Sequence, residues 1–203
     1  MASRTRILLF VVVLITLSWG VYECKYYYSY YADLKDRPWA YSRDENTPLL
    51  VGTWQGEFRD PDNVAKTIRL TIEPPVSDEE RSRKAARRTR KRSSFSRTDK
   101  KWFGGEATVT SVRGKEEYSL SGHVRTEDGH QLGPVRFSTD DGIGPVRSNF
   151  NLHSASEGGT WQGDELTLTI GFTYTTKTGS SHWSSADPRY DKKATIHFSR
   201  IKP

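Results

Sequence analysis

Residues 166–174 read Leu-Thr-Leu-Thr-Ile-Gly-Phe-Thr-Tyr, with an apolar or aromatic side chain at every second position and Thr or Gly between. A period of two places one set of side chains on each face of an extended strand, and a helix cannot segregate such a sequence. The pattern recurs along most of the chain. Leu50, Gly52, Trp54, Gly56 and Phe58 share one face, while Thr53, Gln55 and Glu57 share the other. Ile68, Leu70 and Ile72 repeat it, as do Tyr118, Leu120 and Val124, Val135 and Phe137, Phe150 and Leu152, and finally Ile196 and Phe198. Turn-forming pairs separate the runs: Asp128-Gly129, Asp141-Gly142 and Gly158-Gly159. No stretch after residue 49 carries a 3.6-residue period. The fold class is therefore all-β, an antiparallel meander of about eight strands closed into a small barrel, with a sandwich as the alternative. Closure removes the open edges of a Thr-rich sheet.

An apolar fraction of 34% is low for a globular chain, yet six Trp, ten Tyr and eight Phe supply large rings for a thin core. Cys24 is the only cysteine, which excludes an intrachain disulfide and leaves the redox compartment open. The net charge of +6 is local. Residues 79–101 hold eleven Lys or Arg against Glu79, Glu80 and Asp99, a balance of +8; the rest of the chain has 20 basic and 22 acidic residues.

The exception to the β pattern is the N-terminus. Arg4 and Arg6 precede an uncharged run from Ile7 to Tyr22, sixteen residues that span about 24 Å as a helix. That is slightly short of a ~30 Å hydrocarbon core, and Trp19, Tyr22 and the cluster Tyr26-Tyr27-Tyr28-Ser29-Tyr30-Tyr31 supply an interfacial belt. One reading is an uncleaved signal anchor; the other is a signal peptide cut after Gly20, which would release a secreted protein. Two Arg and the α-amino group lie before the run, whereas Glu23, Asp33 and Asp36 balance Lys25, Lys35 and Arg37 after it. The positive end stays in the cytoplasm, so the bulk of the chain is expected outside.

The expected organisation is a signal anchor or signal peptide at 1–24, a juxtamembrane aromatic segment and tether at 25–48, and a barrel domain at 49–203. Pro38, Pro48 and mixed charges without apolar period mark the tether. Within the barrel domain, 76–101 reads as a basic disordered loop, because Arg83, Lys84, Arg87, Arg88, Arg90, Lys91 and Arg92 repel one another and lack large apolar neighbours. Those residues are candidate anion-binding groups for anionic lipid or polymer, whereas nucleic acid is a poor match for a membrane-targeted chain.

The pentapeptide Gly-Thr-Trp-Gln-Gly occurs at 52–56 and again at 159–163. The first copy opens the β region as Gly52-Thr53-Trp54, which resembles the Gly-x-Trp opening of the calycin superfamily of lipocalin, fatty-acid-binding and avidin-like barrels. The resemblance implies that Trp54 seals one end of the barrel and that a late basic residue packs over it. Arg200, on the strand face of Ile196 and Phe198, falls in place for that structural role. It also implies an interior that is either filled or able to hold a small apolar ligand, with Trp54, Phe58, Tyr118, Phe172 and Tyr174 as candidate contacts.

No catalytic or cofactor motif is present. His123, His153 and His197 alternate with apolar neighbours and so point outward, His130 and His182 lie in loops, and no pair has zinc-motif spacing. Gly-x-Ser-x-Gly and phosphate-cradling Gly loops are absent. The expected function is a membrane-tethered, extracytoplasmic, non-enzymatic binding module for a small apolar ligand or an envelope partner. The alternatives are a hydrolase built from scattered acids and a secreted polyanion-binding protein acting through the basic loop.

Overall fold

The computed structural model describes residues 2–44, 46–86, 100–139, 149–176, 181–182 and 187–202. They form two compact units, Met1–Asp36 with Val76–Arg97, and Arg37–Pro75 with Thr98–Pro203.

The first unit is helical. Helix α1 (Ala2–Asp36) carries the uncharged run, and Ile7, Leu8, Leu9, Phe10, Leu17 and Trp19 are all more than half exposed. It is the one helix among the described residues long and apolar enough to cross a membrane. The Trp19 indole N–H, at the end of the run, donates to Glu23 Oε1 at 3.1 Å.

Helix α2 (Asp78–Ala86) corrects the reading of 76–101 as a disordered loop throughout. Its start is a Ser-x-x-Glu capping box by sequence: Ser77 Oγ accepts from the Glu80 amide at 3.2 Å. Glu79 and Glu80 then set negative charge against the positive end of the helix dipole. Charge counting alone missed this, because the acids that nucleate the helix precede the bases that repel. Arg81 is 1% exposed, and its Nη1 donates to Asp33 Oδ2 of α1 at 2.7 Å and to Ser29 Oγ at 3.3 Å.

The second unit is the barrel. In chain order the strands are β1 (Gly52–Arg59), β2 (Ala65–Glu73), β3 (Trp102–Ser111), β4 (Gly114–Val124), β5 (Gln131–Ser138), β6 (Phe150–Ala155), β7 (Gly159–Gln162), β8 (Glu165–Thr175), β9 (Ser181–His182) and β10 (Lys193–Ile201). Each of β1 to β5 pairs antiparallel with the next, and β10 closes the ring by pairing with both β8 and β1. β6 and β7 occupy one position in that ring, since both pair with β5 and with β8. Eight positions around a closed antiparallel barrel result, as the alternation predicts.

The break between β6 and β7 is a turn, closed by the Gly158 amide donating to the Ala155 carbonyl at 3.0 Å, and it needs a glycine. Gly158 has φ +77°, and a Cβ there would lie 2.1 Å from the Leu132 carbonyl oxygen. Inward residues from all the long strands form a single core that includes Trp54, Ile68, Leu70, Phe103, Leu120, Ile170, Ile196 and Phe198.

A second correction concerns the tether. Residues 37–50 pack as a strap on the barrel: Trp39 and Ala40 are 1% and 4% exposed, and Leu50 is fully buried. The Leu50 amide donates to the Trp39 carbonyl at 2.8 Å, and the Trp39 ring meets Phe103 at 6.1 Å, edge to face. Gly129 makes room for it, since a Cβ there would lie 2.3 Å from Trp39 Cβ. The barrel unit therefore begins at Arg37 rather than at residue 49.

Candidate functional site

The strand directions give the barrel two unlike ends. One holds the start of β1 and the end of β10, together with the strap. Trp54 is fully buried there, its indole N–H donating to the Leu50 carbonyl at 2.9 Å. The Arg200 guanidinium lies 4.2 Å from the centre of the Trp54 ring, close enough for a cation–π contact. The Arg200 Nη1 donates to the Val51 carbonyl at 3.0 Å, its Nη2 to the Leu49 carbonyl, and its Nε to Asp164 Oδ1 at 3.0 Å. One side chain thus ties β10 to the entry of β1 and to the turn between β7 and β8. Hydrogen bonding from Lys202, and less so from Arg200, holds the Asp164 carboxyl below the usual carboxylate range. A groove of about 510 Å³ runs over this end, lined by Pro48, Leu49, Asp164, Arg200 and Lys202 among others. The second pentapeptide copy lies at the same end, where Trp161 is buried and its N–H donates to the Gly129 carbonyl at 2.6 Å.

The opposite end contains a buried charge cluster that sequence reading missed. Lys66 shares the inward face of β2 with Ile68, Leu70 and Ile72 and is 3% exposed. Its Nζ donates to the Phe150 carbonyl of β6 at 3.1 Å, and lies 3.4 Å from Asp60 Oδ2 and 3.9 Å from Glu116 Oε2. The Asp60 side chain is fully buried, and its Oδ1 accepts from the Val64 amide at 2.9 Å, fixing the turn between β1 and β2. The Tyr118 hydroxyl donates to Glu116 Oε2 at 2.8 Å. Burial, and then the Glu116 charge, push the Tyr118 hydroxyl far up, so it remains a donor. The sequence signal for it is parity: Lys66 falls on the same strand face as Ile68 despite its charge.

The rings singled out from the sequence have distinct placements. Trp54 belongs to the strap end, and Phe58, Tyr118, Phe172 and Tyr174 gather toward the charge cluster. Phe58 meets Phe172 at 5.9 Å, Tyr118 meets Phe137 at 6.5 Å, and Phe150 meets both Phe172 at 6.4 Å and Tyr174 at 5.1 Å. Tyr174 is half-buried and stacks on Tyr190 at 4.5 Å with an interplanar angle of 6°. Of the candidate anion-binding residues, Arg83 is exposed on α2 and Lys84 belongs to the same helix, whereas Arg87, Arg88, Arg90, Lys91 and Arg92 lie outside the described residues. Among the described residues no three His, Cys, Asp or Glu side chains are grouped to hold a metal ion.

The geometry defines a closed eight-stranded antiparallel barrel that follows one apolar helix in the chain, with a charged lock at each end of the barrel. Comparison of the chain with family models, with curated proteins and with solved structures finds no match.

Proposed function

We propose that this chain is a membrane-tethered, non-enzymatic binding module of calycin-like build, held outside the cytoplasm by α1, which engages an envelope partner rather than carrying an apolar ligand. The observation that carries this reading is the use of the interior rings. Trp54, Phe58, Tyr118 and Phe172 are each at most 8% exposed and are packed into one continuous core. Rings engaged with one another contribute little to a guest, so recognition falls to the outside of the barrel. The strap end is covered by the chain's own Trp39 and Leu50. The far end, with the Tyr174–Tyr190 stack and exposed Arg189, is where we place the partner. Aromatic and Arg side chains are the commonest anchors of protein interfaces. The calycin reading is supported by the first-strand Trp54 lying under the late Arg200.

The placement is tested by a reporter fused after Pro203, which is expected to be active only outside the cytoplasm. Replacing Arg4 and Arg6 with Glu should impair or invert insertion, because the charge bias before the apolar run sets orientation. Cytoplasmic activity of the unmodified fusion would reverse the assignment.

A further inference from the structure

The way α2 is fastened to α1 has a meaning that depends on where along α1 it occurs. Arg81 meets Tyr26, Ser29, Tyr30 and Asp33: besides the two hydrogen bonds, its guanidinium lies 5.5 Å from the Tyr30 ring centre and 6.0 Å from that of Tyr26. Ala85 and Val76 are buried alongside, at 8% each. Helical rise puts Tyr26 about 6 Å and Ser29 about 10 Å beyond Tyr22, the last residue of the uncharged run. A ~30 Å hydrocarbon core centred on that run ends about 3 Å past Tyr22, and the headgroup layer occupies roughly the next 5–8 Å. The Arg81 contacts therefore begin within the headgroup layer. On that same stretch of α1, Lys25 is exposed, and Tyr27, Tyr28 and Tyr31 are 52%, 80% and 51% exposed, as an interfacial belt requires.

We propose that α2 is a headgroup-level clasp, fastened by the buried Arg81 so that its exposed Arg83, with Lys25 of α1, binds an anionic phospholipid surface. This rests on the reading of α1 as a membrane span. Two charges divide the work. Arg81 is held inside the helix pair by Asp33 and the tyrosine rings, and acts as a positioning residue. Arg83 is turned to solvent, where a nearby negative lipid surface attracts a cation. A disordered segment would pay the ordering entropy of such a contact at the moment of binding, whereas a docked helix has met it already.

The test uses the full chain with Cys24→Ser and a fluorophore on Ala86→Cys, reconstituted into phosphatidylcholine vesicles with or without phosphatidylglycerol. The reading is quenching by a lipid that carries a quencher on its headgroup. Quenching is expected to be several-fold stronger in the anionic vesicles and to fall with added salt. Arg83→Glu should lower the anionic preference several-fold with the helix pair intact. Arg81→Met should lower quenching in both lipids, with Arg81→Lys restoring part of it. Equal quenching in neutral and anionic vesicles, or a preference unchanged in Arg83→Glu, would overturn the clasp. Release of the chain by an alkaline wash would instead show that α1 does not span, which removes the membrane reading itself.

Discussion

Lys66→Met is expected to destabilise the barrel by about 3–5 kcal/mol, the range found when one partner of a buried ion pair is removed. The reason is what the substitution leaves behind. Asp60 is fully buried and Glu116 is 10% exposed at the side chain, so both carboxylates lose the Lys66 ammonium beside them while remaining out of water. The Phe150 carbonyl loses the Lys66 donor as well. Adding Asp60→Asn and Glu116→Gln should recover most of the loss, since Asn keeps an acceptor for the Val64 amide and neither amide carries charge. The comparison separates an ion lock from mere packing. Thermal melts of the full chain in detergent read it directly. If Lys66→Met and the triple variant melt together within a degree or two, the cluster is not acting through its charges.

The second large effect belongs to the other end. Trp54→Ala should cost about 3–5 kcal/mol, since it opens a large cavity beneath Arg200 and removes the indole donor to Leu50. For a unit of this size that lowers the melting midpoint by roughly 6–20 °C. Arg200→Ala should cost less, about 2 kcal/mol, through loss of its hydrogen bonds to Leu49 and Val51. The two effects should be non-additive, because the ring and the guanidinium are in contact. The Asp164 arm also gives a pH dependence. Its carboxyl is held below its ordinary value in the folded chain, so its contribution is present above the unfolded pKa, near 4, and is lost as pH falls through the folded one. The midpoint should therefore hold steady across neutral pH and decline only in acid, with Asp164→Asn flattening part of that decline.

The barrel was legible in the sequence because alternation is a long-range statement that each strand makes for itself. Leu166 to Tyr174 announce a strand regardless of what they pair with, and Trp54 and Arg200 fall on the right faces by parity alone. What escaped notice is the set of residues whose burial depends on a partner far away in sequence. Trp39 and Leu50 are buried among Pro and charged residues with no period to mark them, because a strap is one layer deep and follows the barrel rather than a repeat. Lys66 is inside only because Asp60, Glu116 and Phe150 converge on it from a turn and two other strands. Helix α2 was hidden by its net charge, although Ser77 and Glu80 mark its start.

That α1 serves as a retained membrane tether is the claim on which the proposed function and the headgroup clasp both depend. Helix α1 runs without interruption through Ser18 and Gly20, the small residues of the alternative cleavage site, and α2 packs on it a few residues further on. The most direct test is the intact mass of the chain recovered from alkali-washed membranes. The uncleaved protein, 23.2 kDa, is expected in the membrane fraction. A soluble product whose mass corresponds to a chain beginning at Val21 would contradict it.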